Sequence, residues 1–75
     1  MNYDLAIMAL EGMARAPITV RSSEGEVTIE GPVASLKELA RLLLLLASES
    51  GDETVELQRG VHVTTDSLTL SLRPR

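Results

Sequence analysis

Few residues in this chain have the type and spacing that chemistry requires. His62 is the single histidine of 75 residues. It stands between Val61 and Val63, so alternation places it on the polar face of a strand. A carboxylate from Glu30 or Glu56 beside it would hold the imidazole in one tautomer, as in a general acid-base pair. Glu26, Glu30 and Glu56 also offer paired carboxylates across strands, the arrangement that raises one pKa in glycosidases. The chain has a single aromatic residue, Tyr3, and so no aromatic-lined cleft to hold a sugar. Ser22, Ser35 and Ser67 lack the flanking glycines of a nucleophile elbow. One imidazole without a thiolate does not assemble the three or four ligands that zinc takes. The glycines are scattered rather than gathered into a phosphate-binding loop. This inventory points away from an enzyme, a metal site and a cofactor.

Charge narrows the partners further. The net charge is −4, and between Glu24 and Glu56 the carboxylates face only Lys37 and Arg41. Phosphate backbones are held by clustered Lys and Arg, and single strands by stacked aromatics, so nucleic acid is not the expected ligand. The longest unbroken apolar run, Leu42 to Ala47, is far short of the ~20 residues of a spanning helix. The opening Met1-Asn2-Tyr3-Asp4 does not read as a secretory signal, and the absence of cysteine suits a reducing compartment; the expected location is the cytoplasm.

The elements that must position these residues follow from periodicity. Good helix formers from Asp4 to Ala14, closed by Pro17, predict a helix over residues 3–15, interrupted in composition only by Gly12. Gly12 marks either an earlier helix end or a close approach by another backbone. Ile18–Arg21 and Glu26–Glu30 alternate apolar with polar around Ser22-Ser23-Glu24-Gly25 and predict a β-hairpin. Gly31-Pro32 ends it and opens a second helix over residues 33–49, with Gly51 as its C-terminal cap. On that helix Leu36, Leu39, Ala40, Leu43, Leu46 and Ala47 form the expected core stripe.

Thr54–Gln58 predicts a third strand and Val61–Thr64 a fourth. The change of parity to Leu68, Leu70 and Leu72 requires a turn at Thr64-Thr65-Asp66-Ser67 before a fifth. The expectation is therefore a single α+β domain over residues 1–75, ordered α-β-β-α-β-β-β. It is a two-layer sandwich of one mostly antiparallel sheet, four- to five-stranded, with both helices on one face.

Leucines fall outside the core stripe. Leu42, Leu44 and Leu45 continue the polar rows of the second helix, and the first helix is apolar around most of its circumference, including Ile7 and Met8. Burying one Leu contributes about 1.5–3 kcal/mol, so such a group in water forgoes much of a small domain's stability. Packing of one helix on the other in cis, or a second copy of the chain, is expected to cover them. Leu42, Leu44, Leu45, Ile7 and Met8 are accordingly the candidate interface of a protein-binding homodimer. A self-associating structural domain with no other ligand is the alternative reading.

The stretch Glu30-Gly31-Pro32-Val33-Ala34-Ser35-Leu36-Lys37-Glu38-Leu39-Ala40-Arg41-Leu42-Leu43-Leu44-Leu45-Leu46-Ala47, with strands on both sides and His62 shortly after, resembles small α+β immunity proteins of bacterial polymorphic toxin systems. The resemblance covers the C-terminal two thirds of the chain. It implies a non-catalytic inhibitor that occludes a basic partner by electrostatic complementarity. Glu26, Glu30, Asp52, Glu53, Glu56 and His62 are then the partner-binding candidates.

Overall fold

The computed structural model describes residues 2–48 and 53–75. Among them the order is α1 (Tyr3–Arg15), β1 (Thr19–Ser23), β2 (Glu26–Glu30), α2 (Val33–Ala47), β3 (Val55–Leu57) and β4 (Leu70–Leu72). The fold is α+β, as the periodicity predicts. The strands form two separate two-stranded antiparallel sheets, β1–β2 and β3–β4, rather than one sheet of four or five.

Local chemistry fixes the first half. The Asn2 side chain accepts a hydrogen bond from the Leu5 N–H and caps α1, while Pro17 forces Ala16 out of helical geometry at its end. Glu24 and Gly25 both take positive φ, 51° and 81°, in the two-residue turn that matches the right-handed twist of a hairpin. The register pairs Val20 with Ile29 and Arg21 with Thr28, so the polar face carries Thr19, Arg21, Thr28 and Glu30, where Arg21 and Glu30 form an ion pair. Pro32 stands at the N-cap of α2 without a side-chain cap. The expected helix end at Glu49 and the Gly51 cap lie outside the described residues.

The second half departs from expectation at Val61–Thr64. Gln58 accepts hydrogen bonds from the N–H groups of Val61, His62 and Val63, and Gly60 takes φ +80°, so the chain turns where a fourth strand was expected. That turn lays residues 62–68 along β1. The Ile18 N–H donates to the His62 carbonyl, the Thr64 N–H to Ile18, and the Leu68 N–H to Val20. This irregular segment satisfies the edge of β1 that a regular strand would have covered. Leu70–Leu72 then pairs with β3 in the register Val55 to Leu72 and Leu57 to Leu70.

One core joins these parts. It contains Ala6, Ala9 and Met13 of α1, Ile18 and Val20 of β1, Leu39 and Leu42 of α2, Leu57 of β3, and Val63. Two contacts show that α1 and α2 run antiparallel, the Ser35 hydroxyl donating to the Ala16 carbonyl and Gly12 abutting Glu38, and Met8 and Arg41 line one cleft farther along. Gly12 is thus a site of close approach within a continuous helix, since a Cβ there would lie 2.9 Å from the Glu38 Cγ.

Candidate interaction surface

The core-facing residues of α2 are Ser35, Leu39, Leu42 and Leu46. The expected stripe was therefore rotated: Leu39 and Leu46 belong to it, but Leu36, Ala40, Leu43 and Ala47 are exposed. Periodicity alone does not choose between the stripes, because α2 is apolar around most of its circumference. The choice falls to Ser35, whose hydroxyl has a partner in the Ala16 carbonyl at 2.5 Å and so enters the interior satisfied.

This rotation redistributes the interface candidates. Leu42 is fully buried, so it offers no surface to a partner and belongs to the core. Leu45 is half-buried against that core. Leu44 is 72% exposed, and Ile7 and Met8 of α1 are exposed as well.

With the core face assigned, α2 has a second apolar face. At 3.6 residues per turn, Val33, Leu36, Ala40, Leu43, Leu44 and Ala47 fall within an arc of about 100° that contains no charged residue. All six are exposed, Val33 at 70% and Leu44 at 72%. The arc points away from α1, which α2 meets through Ser35 and Glu38. Beside its C-terminal half lies an open groove of about 380 Å³ lined by Leu43, Leu46 and Ala47 and by residues Ser71 to Pro74. Sequence reading assigned most of this face to the core. The spacing 33, 36, 40, 43, 47 was the signal available for it, in competition with the stripe that is buried.

The acidic candidates occupy separate elements. Glu26 and Glu30 lie on β2, where Glu30 is paired with Arg21 and Glu26 accepts from the Thr28 hydroxyl at 3.5 Å. Glu56 is exposed on β3. Glu53 accepts a hydrogen bond from the Tyr3 hydroxyl at 3.0 Å, which, with its charge, raises the Tyr3 pKa. Asp52 lies outside the described residues. His62 sits in the turn after β3, where its Nδ1 accepts the Gln58 N–H at 3.2 Å, and partial burial lowers its pKa. Neither Glu30 nor Glu56 is a hydrogen-bonding partner of His62 in the described contacts.

A hydroxyl cluster that the sequence did not advertise joins the two halves. Ser67, buried, accepts the Val20 N–H at 3.0 Å, and its Oγ lies 2.6 Å from the Thr64 Oγ1. The Thr64 hydroxyl donates to Asp66 at 2.7 Å and sits 3.2 Å from the Thr19 hydroxyl. That hydrogen bond leads the causes that lower the Asp66 pKa, followed by a backbone N–H and the charge of Arg21. The cluster contains a serine and a carboxylate but no imidazole, and its bonds serve the β1 edge.

On the opposite side of α2, Met8, Glu11, Arg15, Glu38 and Arg41 line a second cleft in which carboxylates and guanidinium groups balance. Among the described residues no group of three or more His, Asp or Glu side chains is placed to hold a metal, and no helix is long and apolar enough to cross a membrane. Comparison with family models, curated proteins and solved structures found no match to the chain.

Proposed function

We propose that this chain is a non-catalytic protein-binding domain that works through the uncovered face of α2. The observation that carries the reading is the run of six apolar residues on that face, exposed on a chain this small. Four of them are large aliphatics, and an exposed contiguous apolar patch of more than a few hundred Å² marks an interaction site. The groove beside Leu43 gives the patch relief, which favours a protuberant aliphatic side chain from a partner. The acidic inhibitor reading lacks comparable support, because its candidates are divided between β2, Glu53, β3 and a turn.

Photo-crosslinking tests the proposal. A diazirine-bearing leucine at position 44 is expected to yield adducts with a polypeptide, while the same group at position 11, on the polar side of α1, yields none. Equal labelling at both positions, or none at either, would overturn it.

A further inference from the structure

We propose that the occupant of this face is α2 of a second copy of the chain, the two helices crossing antiparallel with their Ala40 residues at the twofold axis. The inference rests on the reading of that face as a docking surface and names its partner. A twofold interface is self-complementary, so a residue n positions before the axis must suit the residue n positions after it. About Ala40 the exposed face meets that condition. Leu36 stands four positions before, Leu43 and Leu44 three and four positions after, and Val33 and Ala47 seven positions to either side. Leu36 with Leu44 and Val33 with Ala47 are apolar pairs, in the outer of which a larger residue meets a smaller one, while Leu43 comes level with Lys37 on the opposite margin of the seam.

Val33, Leu36, Ala40, Leu43 and Ala47 also follow the a/d spacing of a helix-pairing seam over two heptads. The small Ala40 at the crossing lets the helix axes approach to the ~8 Å lower end of the usual range. Antiparallel pairing carries Val33 of the second copy onto Ala47, at the mouth of the groove formed with Leu72 and Pro74. No carboxylate lies in the seam. Lys37, at its margin, comes beside Leu44 of the other copy, which its aliphatic stem can cover. A heterologous partner would place no demand on the symmetry of this pattern.

The seam runs about 22 Å along α2 and presents on the order of 400 Å² per copy, about half the ~800 Å² per partner of a standard interface. The dimer is therefore expected to be weak and to dissociate on dilution.

The chain contains no cysteine, so disulfide trapping reads the geometry directly. Light scattering at the upper end of a dilution series should give twice the 8.1 kDa of the chain, returning to the single mass in Leu44→Glu, whose helix content by circular dichroism should match the parent. Under mild oxidation Ala40→Cys should link to itself, because facing Cα atoms across so close a pair fall within disulfide reach. Val33→Cys should link to Ala47→Cys on mixing at least ten-fold more than either links to itself, and Arg41→Cys should not link. A single mass at every concentration, a double mass that Leu44→Glu leaves intact, or Val33→Cys linking preferentially to itself would each overturn the proposal. A single mass together with position-44 adducts to other polypeptides would remove self-pairing and keep the protein-binding reading, whereas a single mass without adducts would remove both.

Discussion

Ser67 ties a loop to a strand 47 residues earlier, and it does so through one hydroxyl that takes the Val20 N–H where a regular strand would have offered a carbonyl. Val20 is itself buried. Ser67→Ala therefore strands a donor away from water, at a cost of about 1–3 kcal/mol, more than the net value of an ordinary exposed hydrogen bond. Urea denaturation should show that loss as a lower midpoint with unchanged slope. An unchanged midpoint would mean that water or a shifted loop replaces the hydroxyl. His62, in the preceding turn, gives a pH dependence of definite sign. Burial lowers its folded-state pKa below the ordinary value of 6.5, so the unfolded chain binds the proton more readily. The stability it contributes is complete above that value and is lost as pH falls from it towards the lower folded pKa. The melting temperature should accordingly drop between pH 7 and pH 5, and the drop should shrink in His62→Gln; equal drops in both would assign it to other groups. Sequence reading marked Thr64 to Ser67 as a turn, and residues 64–67 do lie in irregular turn structure. It gave no hint that Ser67 reaches β1, because a contact across 47 residues has no local pattern.

At the scale of elements, the first hairpin and both helices were legible because their determinants are local: the helix formers from Asp4 to Ala14, Pro17, the Glu24-Gly25 turn and the Gly31-Pro32 break. The turn carries a testable imperfection. Glu24 holds φ +51°, a conformation that costs a residue with a Cβ roughly 1 kcal/mol. Glu24→Gly should therefore be neutral to stabilising, and Gly25→Ala destabilising by about 1 kcal/mol or more, read from thermal midpoints. The fourth strand was not legible as a turn, since Val61-His62-Val63-Thr64 has strand composition, and the hydrogen bonds to the Gln58 carbonyl with the positive φ of Gly60 decide against it. Gly12 shows how two elements share one constraint. Replacing it by Ala gains about 1 kcal/mol of helix propensity, but the new Cβ would meet the Glu38 Cγ at 2.9 Å, an overpacking cost of about 1–3 kcal/mol. Gly12→Ala should be net destabilising in the parent and stabilising by up to about 1 kcal/mol in a Glu38→Ala background. The exposed Glu38–Arg41 pair lost in that background is worth less than about 1 kcal/mol. A double-mutant cycle without coupling would place the helices farther apart at this point.

For the whole molecule, the leucine run of α2 divides between two tasks, and the division separates folding from association. Leu42 and Leu44 are two residues apart, identical in type, and opposite in burial at 0% and 72%. Sequence reading grouped them because both left the expected core stripe. The structure separates them because the position of α1, set by the close approach at Gly12 and the Ser35–Ala16 bond, decides which of two apolar arcs is enclosed. Leu42→Ala should cost about 2–5 kcal/mol, the range for a cavity in a packed core, at any protein concentration. Leu44→Ala should leave the dilute chain within about 0.5 kcal/mol of the parent. If a second copy covers the face, its binding adds to stability by mass action, and the parent's melting temperature rises with protein concentration. In Leu44→Ala that rise should be reduced and in Leu44→Glu abolished, while in Leu42→Ala it should keep its slope from a lower starting point. Calorimetry over a hundred-fold concentration range distinguishes these cases. A concentration dependence that Leu42→Ala removes and Leu44→Glu spares would mean that association depends on the integrity of the core rather than on the exposed arc, and would place the docking surface elsewhere on the chain.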